Sequence, residues 1–130
     1  MQFLTLTLIK LFVLLNIVTN AEWANWRGPN MDGSSSAKNV PTKFSQSENI
    51  RWSIDMTGKA ASTPIISGGK VFITTTDKNK KELLAVAYDL KSGKKQWSEV
   101  VGKGLNQDNR SNYAGASPVS DGKHVVFFYG

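Results

Sequence analysis

The stretch Ala87-Tyr-Asp89-Leu-Lys-Ser-Gly93-Lys-Lys-Gln-Trp97 decides how this chain folds. It joins the apolar run Glu82 to Tyr88 to a second run, Lys94 to Val101, through the turn Asp89 to Gly93. An aspartate opening a turn accepts the N–H groups just ahead of it, and a glycine at the exit takes up a left-handed conformation at little cost. A connection this short makes the two strands antiparallel. Trp97 then stands on the second strand as a large apolar wedge for which some neighbouring element has to leave room.

Working outward, the same texture continues. From Ala37 onward there is no sustained helical period. Instead, short runs rich in Val, Ile, Thr, Phe and Tyr are separated by Gly, Asp, Asn and Ser. Strands are expected over Asn49 to Ile54, Pro64 to Ser67, Lys70 to Thr76, Glu82 to Tyr88, Lys94 to Val101, Pro118 to Ser120 and His124 to Tyr129. Gly68-Gly69 and Asp121-Gly122 read as two-residue hairpin turns. Ala24 to Lys43, with Gly, Pro, Asn and three consecutive serines, reads as an extended lead-in without a core of its own. Thr63-Pro-Ile-Ile-Ser-Gly-Gly-Lys-Val-Phe-Ile73 and Ser117-Pro-Val-Ser-Asp-Gly-Lys-His-Val-Val-Phe127 share one pattern, with Pro64 and Pro118 54 residues apart. One repeat therefore holds four strands with short antiparallel connections, the unit of a radially repeated sheet. The fold class expected is all-β, a β-propeller of four-stranded antiparallel blades; such folds have about 4 to 8 blades, of which this chain carries about one and a half. A compact sandwich of short strands is the competing architecture, and it gives the Pro64/Pro118 repeat no reason to exist.

Composition narrows the chemistry. The chain has 130 residues, no Cys and one histidine, His124. A disulfide framework, a thiolate metal site, a thiol nucleophile and a histidine dyad are thereby excluded within it. The net charge is +6, but Lys78, Lys80, Lys81, Lys91, Lys94 and Lys95 fall in turns rather than on one stripe, so solvated turns are read here and no nucleic-acid surface. Residues 1–21, with the apolar run Leu11 to Val18 and the small-residue end Thr19-Asn-Ala21, read as a secretory signal peptide cut after Ala21. The competitor is an uncleaved anchor. The apolar core falls well short of the ~20 residues that span a bilayer, so no stable membrane span is expected after cleavage. The organisation expected is signal peptide 1–21, lead-in 22–48 and a partial propeller 49–130, truncated at its C-terminal end. The compartment expected is outside the cytoplasm, periplasmic or extracellular.

The quoted stretch, with Ala87, Asp89, the Ser-Gly93 turn and Trp97, resembles the repeat of the PQQ-like (pyrroloquinoline quinone) β-propeller family. So does the start Trp23-Ala-Asn-Trp26-Arg27-Gly28-Pro29-Asn30-Met-Asp32-Gly33, which is similar to the lead-in of its secreted bacterial members, and Asn49-Ile-Arg-Trp52 after it. The resemblance implies that Asp89, Gly93 and Trp97 form the structural blade motif, with Trp97 set between blades. It implies two classes of activity: an exported non-catalytic scaffold for binding or assembly, or the N-terminal part of a quinone-dependent dehydrogenase. An extracytoplasmic sensor or accessory domain of a larger protein is a third. No catalytic, cofactor-binding or metal residue can be named, and neither quinone nor calcium is supported by the residues present. In a four-stranded blade, Asp77 to Lys81 and Gly102 to Gly115 emerge on one rim. The second of these is long and polar, and Arg110, Asn112 and Tyr113 are the candidates for contact with a protein or carbohydrate ligand; a merely solvated connection suits the same residues. His124 is expected at the surface, Asp77 to Glu82 as a turn rather than a calcium loop, and Trp23, Trp26, Trp52 and Trp97 as structural tryptophans.

Overall fold

The computed structural model describes residues 22–104 and 113–130. Its strands are β1 (Ile65–Ser67), β2 (Lys70–Asp77), β3 (Glu82–Asp89), β4 (Lys95–Lys103), β5 (Val119–Ser120) and β6 (Val125–Val126), and no helix occurs among the described residues. β1 to β4 form one antiparallel sheet in chain order, and β5 and β6 begin a second. This is one propeller blade and the start of the next. Gly68 and Gly69, with φ of 54° and 74°, make the two-residue turn between β1 and β2. β3 and β4 pair from Glu82↔Lys103 to Tyr88↔Lys95, with Gln96 and Val101 as extra residues that shift the register. Bulges of this kind twist and disrupt an outer edge.

β2 and β3 are buried on both faces, which is why neither KVFITTTD nor ELLAVAYD alternates cleanly. On one face Leu84, Val86 and Tyr88 pack with Val71, Ile73 and, from the preceding segment, Ile54. On the other, Ile65, Phe72 and Ala87 pack with Trp97 and with Val125 and Phe127 from the second sheet. The rings of Phe72, Trp97 and Phe127 lie 6.0 to 6.4 Å apart, two of the three pairs edge-on. Full burial of side chains such as Ile65 or Phe72 stabilises by about 1.5–3 kcal/mol each, so these two layers hold the sheet from both sides.

Three expectations are corrected. Among the described residues Asn49 to Ile54 belongs to no ladder; from Arg51 onward it lies extended on the sheet with every second residue turned to solvent. The strand expected over His124 to Tyr129 shortens to Val125–Val126, because β5 offers it only two partners. The Asp121-Gly122 turn is a four-residue loop, since Ser120 pairs with Val125; the Asp121 carboxylate accepts the N–H groups of Lys123 and His124 at 2.8 and 2.6 Å and holds the wider loop closed. The lead-in also gains contacts that its composition does not announce. Trp23 and Ile66 exchange backbone hydrogen bonds at 2.8 and 2.9 Å, and the Ser120 N–H donates to the Ala24 carbonyl at 2.8 Å. Residues 22–24 thus lie along β1 and β5, where the Ser120 hydroxyl also donates to that of Ser67 at 3.1 Å.

Candidate functional site

One rim of the sheet carries the β2–β3 hairpin and the exit from β4. Asp77 Oδ1 accepts the N–H groups of Asn79 and Lys80 at 3.0 and 3.1 Å, and Lys81 closes the turn with a left-handed φ of 54°. The Gly104 N–H then donates to the Lys81 carbonyl at 2.8 Å, fastening the end of β4 to the hairpin. Lys78, Lys80 and Lys81 are exposed. The ion pair within 4 Å among the described residues is His124 with Asp121, so these ammonium groups stand without a carboxylate partner there. Arg110 and Asn112 lie outside the described residues. Tyr113 is half-buried in a turn, and the chain after it is anchored: the fully buried Ala114 accepts from the Ala61 N–H at 3.3 Å and from the Thr74 hydroxyl at 3.1 Å. The connection therefore leaves from one fixed point and returns to another.

The opposite rim carries the β3–β4 turn. Asp89 Oδ1 accepts the Ser92 hydroxyl at 2.6 Å, the Ser92 N–H at 2.7 Å and the Lys91 N–H at 3.1 Å. The hydrogen bonds from Ser92, side chain first, hold its carboxyl below the usual carboxylate value. Gly93, with φ of 69°, donates to the Asp89 carbonyl at 2.9 Å. A Cβ on Gly93 would come within 2.6 Å of the Trp52 ring, and the Trp52 indole donates to the Leu90 carbonyl at 3.1 Å. Trp52 thus covers the turn that Asp89 and Gly93 build. Sequence reasoning noticed Trp52 without its partner; the signal was the likeness of Arg51-Trp52-Ser53 to Gln96-Trp97-Ser98. Trp97 lies away from this turn, between the two sheets.

The other aromatic and acidic residues sort themselves. Trp23 packs on Gly28, where a Cβ would meet its ring at 2.6 Å. Trp26 departs from the expectation of a structural role: it is 62% exposed, with the Arg27 guanidinium 5.4 Å from its ring centre. His124 is exposed and its Nδ1 lies 3.1 Å from Asp121 Oδ2. Hydrogen bonds from His124, its backbone N–H foremost, hold the Asp121 carboxyl far below the usual range.

Residues 39–130 match the family described as outer membrane protein assembly factor BamB. The chain belongs to this family. No curated protein and no solved structure matches it. Asp77, Asp89 and Asp121 each turn into their own backbone, and residues 22–24 lie along β1 and β5. Among the described residues no helix is long and apolar enough to cross a membrane. What the arrangement offers is hydrogen-bonding and cationic side chains on fixed turns, which suits recognition.

Proposed function

We propose that this chain is part of an exported, non-catalytic β-propeller that serves as a binding or assembly scaffold for other proteins. The observation that carries the reading is the match of residues 39–130 to the assembly-factor family. The reading includes cleavage after Ala21, a lead-in over residues 22–48 and a propeller portion over 49–130, and it includes neither quinone nor calcium. Contact with the partner is assigned to the rim that bears Asp77 to Glu82 and the connection with Arg110, Asn112 and Tyr113. Its support is physical: the hairpin is locked by Asp77 and by the Lys81–Gly104 hydrogen bond, so its backbone loses little freedom on binding. Depletion of the protein in its own cell tests the reading. Folded outer-membrane β-barrels, scored by their heat-modifiable migration, should fall and should recover on re-expression. Unchanged barrels, together with dehydrogenase activity of the purified protein after addition of pyrroloquinoline quinone and Ca2+, would replace the scaffold by an enzyme.

A further inference from the structure

The lead-in carries a closed loop that turns its largest side chains away from the protein. The Gly28 N–H donates to the Asn25 carbonyl at 3.0 Å and the Met31 N–H to the Gly28 carbonyl at 3.2 Å, which makes two successive turns. The Gly33 N–H closes the neck on the Arg27 carbonyl at 2.8 Å. Side chains fasten the same backbone. Asn25 accepts the Arg27 N–H through Oδ1 at 2.9 Å and donates through Nδ2 to the Gly28 carbonyl at 2.8 Å, and Asp32 Oδ1 accepts the Ser34 N–H at 2.7 Å. Beneath the loop the Trp23 ring packs on Gly28, and the Trp23 backbone is bonded to β1. The loop is thus held in one shape and tied to the sheet.

Trp26 is 62% exposed and Met31 65%. The Arg27 guanidinium, exposed as well, stands 5.4 Å from the Trp26 ring centre and has no carboxylate within 4 Å among the described residues. Met31 takes a left-handed φ of 60°, a conformation strained for any residue with a Cβ and open to glycine without strain. Among the described residues neither Trp26 nor Met31 belongs to a core cluster. A strained backbone that keeps a long apolar side chain in water points to a contact made outside the chain.

The kind of partner follows from the three side chains. Trp, Arg and Met are residue types enriched where proteins meet, and Trp and Arg are prominent among those that carry the binding energy. Charge argues against a lipid surface: Arg27 and Asp32 are the charged residues between 25 and 34, and they cancel, so anionic headgroups would meet no net attraction. We infer that residues 25–34 form a protein-docking knob, with Trp26 and Met31 entering an apolar recess of the partner and Arg27 pairing with an aspartate or glutamate at its edge. The knob lies ahead of residue 39, where the family match begins, and shares no residue with the rim assigned above, so it and the scaffold reading fail separately.

The test offers the full chain a phage library displaying fragments of the proteins of its own cell, and remakes each enriched fragment as a synthetic peptide for titration. The expected peptide carries Asp or Glu beside apolar residues and binds saturably. Trp26→Ala should weaken it by about thirtyfold or more, as for an interface anchor, and leave the melting temperature of the chain unchanged. Arg27→Glu should weaken it by about tenfold or more, and changing the acidic residue of the peptide to Lys should restore binding to that variant. Met31→Gly separates contact from fold: it relieves the backbone, so the melting temperature should hold or rise while binding falls several-fold. No enriched fragment, peptides that bind Trp26→Ala as tightly as the parent, or a charge swap without rescue overturns the inference. So does a blue shift of tryptophan emission on vesicles of phosphatidylglycerol and phosphatidylethanolamine that Trp26→Ala removes, which would make the loop a membrane contact instead.

Discussion

Gly93 carries two constraints at once, a φ of 69° and the Trp52 ring lying where a side chain would start. Gly93→Ala should cost about 2 kcal/mol or more in denaturant unfolding. The cost should shrink in a Trp52→Ala background, where only the backbone strain remains; equal costs in both would mean that indole and turn do not touch. Asp89 makes a claim about pH. Hydrogen bonds from Ser92 lower its pKa below 3.8 in the fold, so the stability it contributes is present above that value and is lost as pH falls through the folded pKa. Asp89→Asn should flatten the loss of stability below about pH 4, and a curve identical to the parent's would contradict the turn geometry. At the alkaline end the sign reverses. Burial pushes Tyr129 up from 10.0 to about 12, so the unfolded chain loses its phenol proton first and stability falls between those values. Tyr129→Phe should reduce that fall and, because the buried hydroxyl has no partner among the described residues, leave stability at neutral pH unchanged. The Asp89–Gly93 turn was legible because its partners lie within a few residues. The Trp52 contact was not, since its acceptor Leu90 is 38 positions away.

At the scale of elements, β1 to β4 follow from composition and turn chemistry, because a strand with two neighbours is fixed by its own apolar content. The elements that depended on a partner were misread. Asn49 to Ile54 has strand composition and no ladder among the described residues, and β6 is short because β5 gives it only two residues to pair with. The two faces of β2 can be told apart by adjacent threonines. Thr74 Oγ1 lies within hydrogen-bond reach of the Ala114 and Ala116 carbonyls, at 3.1 and 3.0 Å, and so ties β2 to the returning connection. Thr75, on the other face, has no such partner among the described residues. Thr74→Val should therefore lower stability by about 1–3 kcal/mol, as expected for leaving buried acceptors unmet, whereas Thr75→Val should cost nothing. Equal effects in calorimetry would show that the two faces are not distinguished as described.

At the scale of the whole molecule, the sheet is packed on both faces, by Ile54 and its neighbours on one side and by Val125 and Phe127 on the other. Sheets stacked face to face in this way leave their turns on two rims, an arrangement legible in the sequence repeat. The ligand-contact residues were less legible, because recognition depends on where side chains stand rather than on the pattern that builds the blade. Of the three candidates, Tyr113 sits at the anchored end of the connection, beside Ala114. A photo-crosslinking amino acid placed at Tyr113, and in a parallel chain at Glu99 on the exposed outer strand β4, tests the scaffold account most directly when irradiated in living cells. The account predicts a discrete crosslinked envelope protein from position 113 and none from position 99. Crosslinks from 99 alone, or from neither position, would contradict it.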